Sequence, residues 1–230
     1  MTAGTGESPH YPVFLDLRGR LAVVIGGSTV AERKVRSLVR HGADVVVVSP
    51  VVSDELITME SDGLITVEAR GYVRGDLEGA FLAICAADSE EVRRAVFAEA
   101  EERGTLVNVV GSPELCSFVI PSVLRRGDLQ VAVSTGGVSP ETARLVKHEI
   151  AALYGPVWES YVRLMGDVRA LLLRTVPDDA GARAAVFAAI AKSDLLARLS
   201  GGAELSAEQV VAEFGNKAAS GGIWNVGSGA

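Results

Sequence analysis

The sequence predicts an α/β fold, with a parallel sheet in the first half of the chain and helices in most of the second half. Three observations support this prediction. Short, continuous apolar runs alternate with helical patterns up to residue 110, as expected of parallel strands that are buried on both faces. A pair of glycines joins the first apolar run to the first helical pattern. From Val157 onward, apolar residues recur at helical spacing.

The first unit of the predicted sheet, residues 21–50, is a strand, a glycine turn, a helix and a second strand. The apolar run 21–25 ends at the glycine pair, the helix begins near Val30, and the valine run 45–48 closes the unit. Such a unit is typical of Rossmann-like domains, which bind the pyrophosphate of a dinucleotide at the helix N-terminus.

The glycine turn matches the dinucleotide motif G-x-G-x-x-G/A imperfectly. Gly26 and Ala31 occupy the first and last motif positions, but Ser28 stands where a middle glycine lets the pyrophosphate approach the backbone. Ser49 follows the second strand, where most NAD sites carry an acid that binds the ribose. The turn favours nucleotide binding, and an ordinary strand–helix turn that binds nothing is the alternative interpretation.

The remaining elements of the sheet domain follow in order. We expect a helix over 53–62, a strand over 64–69, a central strand over 81–87, a helix from Asp88 to Arg103 and a strand over 105–110. Asp88 and Glu91 fit a capping pattern at the start of the third helix. Because strand ends border the nucleotide site of such folds, Asp88 is also a candidate ligand.

The second half of the chain begins with a change of composition after residue 112. The apolar run 129–134 leads into a loop in which Ser139, as N-cap, and Pro140 predict the start of a helix that ends near Tyr154. Further helices are expected from Val157, over 180–199 and over 203–214. The predicted parts are a disordered N-terminus (1–10), a sheet domain (11–112), a connecting region (113–154), a helical region (155–214) and a flexible tail (215–230).

The composition is that of a globular protein, with 48% hydrophobic and 22% charged residues among 230. The formal net charge of −7 makes nucleic acids and anionic membranes poor partners. Two cysteines, Cys85 and Cys116, are too few for a disulfide framework. The first nine residues lack the features of a signal peptide, and no apolar run approaches the roughly 20 residues that span a bilayer. We therefore expect a cytoplasmic protein.

Several short segments together carry a resemblance to a known family. They are 11–20, 26–34, 47–50, 108–110, 118–121 and 133–140. In this order and spacing they resemble the precorrin-2 dehydrogenases, including the siroheme synthase module that oxidises precorrin-2 and then inserts iron. The resemblance spans residues 10–175.

The resemblance implies a homodimer. Each subunit would have a Rossmann-like NAD-binding domain, a small α+β dimerisation region over 113–154 and a C-terminal helical region. It also implies that NAD removes a hydride from precorrin-2 to give sirohydrochlorin. Together with the glycine turn and Ser49, the positions carried over from the family predict cofactor contacts at Gly26, Gly27, Ser28, Thr29, Val30, Ser49, Pro50, Val51, Ala87, Asp88 and Val109.

Two positions depart from the family. Ser28 replaces the middle glycine of the family's Gly-Gly-Gly turn, and the second departure is one of chemistry. Bifunctional members carry an aspartate, assigned to proton transfer, where this chain has Gly111. The hydroxyl of the neighbouring Ser112 is neither an acid nor a base at neutral pH, so no catalytic residue is assigned. Hydride transfer depends mainly on orientation, whereas metal insertion requires removal of pyrrole protons. We expect dehydrogenase activity, with ferrochelatase activity in doubt. The alternatives are a chelatase without dehydrogenase activity and a non-catalytic tetrapyrrole- or nucleotide-binding paralogue.

The substrate that the resemblance implies is rich in carboxylates and requires local cations or hydrogen-bond donors. Arg125, Arg126, Arg144 and Lys147 are candidate cations, and the alternative is a solvated helix face and a basic turn. The predicted substrate contacts are Asn108, Gly111, Ser112, Thr135, Gly136, Gly137, Ser139 and Arg144. The three histidines, His10, His41 and His148, do not have metal-ligand spacing, so no metal site is expected.

Overall fold

The structure is a computed structural model that describes residues 10–220, with only the backbone for 216–220. Residues 1–9 of the predicted disordered N-terminus and residues 221–230 of the predicted tail lie outside the described residues. The chain divides into two compact units between Ile120 and Pro121. We describe each unit by itself, and the finer division into five parts stays a prediction.

The first unit contains the predicted parallel sheet, with strand order β3-β2-β1-β4-β5. Its elements are β1 (Leu21–Ile25), α1 (Thr29–Arg40), β2 (Asp44–Val48), α2 (Asp54–Ser61), β3 (Thr66–Glu68), β4 (Leu82–Cys85), α3 (Glu90–Arg103) and β5 (Leu106–Val109). Ile25 at the end of β1 pairs with Val48 on one side and Cys85 on the other. The carboxyl ends of the central strands are therefore level, and they form one edge of the sheet.

The core of the first unit lies on both faces of this sheet. Val35 and Leu38 of α1 pack on one face. Val96 and Ala100 of α3 pack on the other. The run of β-branched residues in β2 is buried, as expected for a strand covered on both sides. Continuous apolar runs therefore predicted the central strands β1, β2 and β4 correctly.

The start of α3 differs from the prediction. Ser89, not Asp88, is the N-cap, and its hydroxyl accepts a hydrogen bond from the Val92 amide at 3.4 Å. The first helical residue is Glu90, so Asp88 lies one position too early to cap the helix. At the other end, Gly104 closes the helix in the left-handed conformation that favours glycine.

The second unit combines a hairpin with five helices, within the described residues. The hairpin strands are β6 (Ser122–Arg126) and β7 (Leu129–Val133), and the helices are α4 (Pro140–Leu153), α5 (Val157–Thr175), α6 (Ala180–Ala191), α7 (Leu195–Ser200) and α8 (Ala207–Ser220). The two strands are antiparallel. Helix α4 contacts both strands, and α5 to α8 enclose a separate core that includes Val168, Val186 and Phe214.

Three features of this unit correct the sequence predictions. Strand β6 was not expected, because Arg125 and Arg126 suggested a basic turn. The predicted helix 180–199 is two helices, since the Ser193 hydroxyl donates to the Ile190 carbonyl at 2.7 Å and so competes with the helical backbone. Helix α8 includes residues 215–220, which were assigned to the tail. No helix in the part of the chain that the structure describes could cross a membrane.

Candidate nucleotide site

A cavity of about 620 Å³ opens at the carboxyl edge of the sheet, beside the glycine turn. This is where folds of this architecture bind their ligands. The predicted cofactor residues that line it are Gly26, Gly27, Ser28, Thr29, Ser49, Pro50, Val51, Ala87 and Asp88. Val30 and Val109 do not line it, and Val109 is only 2% exposed in the core. A cofactor contact for these two residues stays a prediction.

Two of the residues that line the cavity are glycines at positions where no side chain fits. Gly26 has φ +114°, and a Cβ on it would lie 2.8 Å from the Ala86 carbonyl oxygen. A Cβ on Gly27 would overlap the Val51 carbonyl oxygen and lie 2.8 Å from the Val52 Cα. The neighbouring groups are backbone, so they cannot rotate away. The turn therefore packs tightly against the segments that follow β2 and β4, and neither position accepts a side chain.

Ser28 lies in the middle of this turn without straining it. Its φ of −75° and ψ of 173° are ordinary extended values, so the position does not require glycine. Ser28 is the N-cap residue of α1, but its side chain makes no capping hydrogen bond. Ser28 lines the cavity at the positive end of a helix of 12 residues.

The residues that follow β2 form one wall of the cavity, and none of those that line it is acidic. Ser49 is 5% exposed, and its hydroxyl donates to the Val51 carbonyl at 2.6 Å. The Ser49 side chain is thus occupied in closing its own turn. Val51, by contrast, is 77% exposed at the cavity. Asp88 is the one charged residue among the described residues that line the cavity.

The loop after β2 is fastened to the glycine turn. The Ser53 amide donates to the Gly27 carbonyl at 3.0 Å. The Ser53 hydroxyl donates to Glu32 at 3.2 Å, and Glu32 forms an ion pair with Arg36 at 2.7 Å. Arg36 also pairs with Glu55 at 2.9 Å. These contacts join α1 and α2 beside the cavity and hold its β2 wall against the turn.

The part of the cavity lining that lies between β3 and β4 in the chain was not predicted from the sequence. Gly71 and Tyr72, from the segment between β3 and β4, line the cavity. The Tyr72 hydroxyl donates to Glu99 of α3 at 2.5 Å. The signal that could have indicated this contact is the position of Glu99 on the apolar face of α3, between Val96 and Ala100.

Glu99 is ionised despite being 1% exposed. Burial opposes its ionisation, but hydrogen bonds from Tyr72, the Gly75 amide and Arg103 outweigh burial and keep the pKa of Glu99 below its usual range. Burial, together with the hydrogen bond to Glu99, raises the pKa of Tyr72 well above its ordinary value. Tyr72 is therefore a neutral hydroxyl at neutral pH.

The predicted substrate residues at the end of β5 have local partners. The Asn108 side-chain amide donates to the Phe118 carbonyl at 3.0 Å. Ser112 is 5% exposed, and its amide donates to the Val109 carbonyl at 3.2 Å. Gly111, between them, has φ +84°, and a Cβ there would have no neighbour within 4 Å. The position of the family aspartate therefore has room for a side chain.

The predicted substrate residues in the second unit fold their own loop. The Thr135 hydroxyl donates to the Ser139 carbonyl at 2.9 Å. The Ser139 hydroxyl accepts from the Thr142 amide and caps α4. Gly136 and Gly137 have φ values of +63° and +87°, which allow the loop to turn before the helix. A substrate contact for these residues stays a prediction.

Two of the candidate cations in the second unit, Arg126 and Arg144, already have an ion-pair or hydrogen-bond partner within the chain. Arg144 pairs with Glu141 at 3.0 Å on an exposed face of α4. The Arg126 Nε donates to the Tyr154 carbonyl at 3.0 Å. Among the described residues, no group of three or more histidine, cysteine or acidic side chains could hold a metal ion.

Comparison with known proteins places the chain in one family. A family model described as "Putative NAD(P)-binding" matches residues 13–122, and one described as "Sirohaem biosynthesis protein central" matches residues 126–153. Siroheme synthase of Azotobacter vinelandii is 35% identical over 202 residues, which cover 88% of this chain and 43% of that protein. Siroheme synthase of Nitrosomonas europaea is 42% identical over 165 residues, or 70% of this chain and 35% of that protein.

The chain thus spans less than half the length of these curated relatives. A solved structure of similar size is that of SirC, precorrin-2 dehydrogenase, with a TM-score of 0.76 and 25% identity. The match covers 90% of this chain and all of SirC. The ordered family models, the relatives and this structure agree with the glycine turn and the cavity, and the chain belongs to the precorrin-2 dehydrogenase and siroheme synthase family.

Proposed function

We propose that this chain oxidises precorrin-2 to sirohydrochlorin with NAD as the hydride acceptor. The observation that carries the proposal is the cavity above Gly26 and Gly27, in a chain that matches precorrin-2 dehydrogenase over that protein's full length. The match to an NAD(P)-binding family model supports the same cofactor.

The residues of the cavity fit a dinucleotide. Gly26 and Gly27 line the cavity in a turn that has no room for a Cβ, and α1 presents its N-terminus there, which suits a pyrophosphate. Ser28 offers a hydroxyl to the same group, and Val51 and Tyr72 offer apolar surface to a base or ribose. NAD supplies the hydride acceptor when bound. The contribution of the chain is to orient the reactants and exclude water.

The test is an assay of the chain with precorrin-2 and NAD. We expect sirohydrochlorin and an equal amount of NADH, both followed by absorbance. Gly27→Val is the matched inactive control, because its side chain would occupy the turn. Absence of turnover by the unaltered protein, while a known dehydrogenase converts the same precorrin-2 preparation, would contradict the proposal.

We further propose that the chain inserts metal poorly, if at all. Gly111 provides no proton acceptor, and the neighbouring Ser112 is buried. A chelatase without dehydrogenase activity is the alternative, and a non-catalytic binding protein is another. Calorimetric titration with NAD, combined with assays of turnover and metal insertion, separates these alternatives. Tight NAD binding with precorrin-2 turnover excludes both of them. Metal insertion without NAD binding supports the chelatase.

We infer that the active form is a homodimer. Apolar side chains of the second unit are exposed along α4 and the loop before it, with Val138 at 88%, Leu145 at 60% and Leu153 at 77%. Such exposure is typical of a surface that a partner covers. The hairpin β6–β7 has only two strands, and added packing would stabilise it.

Two free cysteines are consistent with a reducing, cytoplasmic location.

A further inference from the structure

We propose that Glu99 is a positioning residue for NAD: it fixes the segment 70–77, and with it the Tyr72 wall of the cavity. The proposal rests on the proposed function, in which NAD enters this cavity. Glu99 itself does not line the cavity. It acts through residues that do.

The segment that Glu99 holds has no regular structure of its own. Residues 69–80, between β3 and β4, form neither helix nor strand. A chain segment of this kind must be ordered by side-chain contacts, because it has no ladder of backbone hydrogen bonds. At its surface, Arg70 pairs with Asp76 at 2.9 Å, and Asp76 accepts from the Val73 amide at 2.8 Å. These contacts shape the segment but do not attach it to the rest of the domain.

In the interior, the attachment is made by Glu99 and by apolar side chains of the segment that pack on the α3-side core. The carboxylate accepts from the Tyr72 hydroxyl, from the Gly75 amide at 3.0 Å and from the Leu77 amide at 3.4 Å. Arg103, one turn later on α3, donates to the same carboxylate at 2.7 Å. Leu77 is fully buried against the α3 face of the sheet. A single buried carboxylate thus binds three points of a segment whose beginning, Gly71 and Tyr72, lines the cavity.

This arrangement predicts how a change at Glu99 reaches the cofactor. Glu99→Gln replaces one of the two acceptor oxygens with an amino group, which cannot accept from the donors that face it, and a buried donor left unpaired is costly. The segment then relaxes, and the wall formed by Tyr72 leaves its place. Because no group on the reacting atoms is altered, NAD should bind more weakly while the rate at saturating NAD stays nearly constant.

The experiment compares three variants of the full chain by NAD titration calorimetry, steady-state kinetics and hydrogen exchange. For Glu99→Gln, we expect the Kd and the KM for NAD to rise about tenfold, with kcat within about twofold of the unaltered protein. Exchange at the Gly75 and Leu77 amides should accelerate. Tyr72→Phe keeps the ring and removes only the hydroxyl, so a smaller rise in Kd is expected, without faster exchange at Leu77.

Glu102→Gln is the matched control. Glu102 lies on the same helix and pairs with Arg74 of the same segment, but this pair is exposed. The change should leave both the Kd and the exchange rates unaltered. An unchanged Kd in a folded Glu99→Gln protein, or a fall in kcat without a change in Kd, would overturn the proposal.

Two further outcomes are also decisive. If Glu99→Gln does not fold, Tyr72→Phe still tests the link between the hydroxyl and NAD affinity, and an unchanged Kd there overturns the proposal. If the unaltered protein does not bind NAD, the proposed function fails. The exchange rates at Gly75 and Leu77 then show separately whether Glu99 holds the segment.

Discussion

Gly27 is the residue at which the cavity is most sensitive to added volume. Its Cα faces the backbone of Val51 and Val52, which has no side-chain freedom to yield. We expect Gly27→Ala to destabilise the fold by about 1–3 kcal/mol, as overpacking does, and to weaken NAD binding at least as strongly. Urea unfolding and NAD titration measure the two effects. Unchanged NAD affinity would show that the turn does not contact the cofactor.

Ser28 is the position in the same turn at which removal of a side chain should cost little stability. Its backbone is unstrained and its hydroxyl makes no capping bond, so Ser28→Gly should cost only a few tenths of a kcal/mol in stability. We expect NAD affinity to fall about threefold, since a hydrogen-bond donor at the helix N-terminus is lost. Calorimetry checks this expectation. Tighter binding in the variant would mean that the serine crowds the pyrophosphate.

Gly111 is the residue at which the proposed need for an acid in metal insertion can be tested. A side chain there meets no atom within 4 Å, although its φ of +84° is strained for any residue but glycine. We expect Gly111→Asp to cost roughly 1 kcal/mol and to give measurable insertion of Fe²⁺ or Co²⁺ into sirohydrochlorin. Gly111→Asn, which has the same shape without the acid, is the control. Equal insertion rates in the two variants would contradict an acid–base role.

The limits of sequence analysis at the scale of single residues are set by partners that lie far along the chain. Tyr72 and Glu99 are 27 positions apart, and only the fold brings them together. Asn108 shows a second limit, because its side-chain amide, at a predicted site, instead bonds to the Phe118 backbone carbonyl. Gly26 and Gly27 were predictable because their role depends on a local motif.

Helix α3 is the element whose buried acid should make stability depend on pH. Since the pKa of Glu99 is lower in the folded protein, its stabilising contribution is complete above the ordinary glutamate value of 4.5 and is lost as the pH falls through the lower, folded value. We expect Glu99→Gln to lower the unfolding free energy by about 2 kcal/mol at pH 7 and by less below pH 4.5. Urea titrations at several pH values measure this difference. A difference that stays constant down to pH 3 would contradict the assignment.

Helices and strands were predictable where their sequence pattern was apolar, and they were ambiguous where it contained charged residues. The valine run of β2 indicated a buried strand, and Ser139 with Pro140 indicated the start of α4. Strand β6 was missed because Arg125 and Arg126 occupy its end, and the hairpin it forms depends on pairing with β7. The break between α6 and α7 depends on the Ser193 hydroxyl, whose bond to the backbone competes with a helix.

For the whole molecule, the prediction concerns assembly. Leu145 is 60% exposed on α4, and a charge there should prevent a second copy from covering that face. We expect the unaltered protein to have the mass of a dimer in size-exclusion chromatography with light scattering, and Leu145→Glu to have that of a monomer. Leu173→Glu, on an exposed apolar position of α5, is the control and should remain dimeric. A monomeric unaltered protein would contradict the homodimer.

The open space around Gly111 also bears on how enzymes of this kind change over generations. The turn after β5 is held by Asn108 and Ser112, not by residue 111 itself. A side chain can therefore be gained or lost there without repacking the domain that binds the cofactor. One substitution separates a chain with a proton acceptor at this position from one without it. An acid can therefore be gained or lost at this position independently of the residues that line the nucleotide cavity.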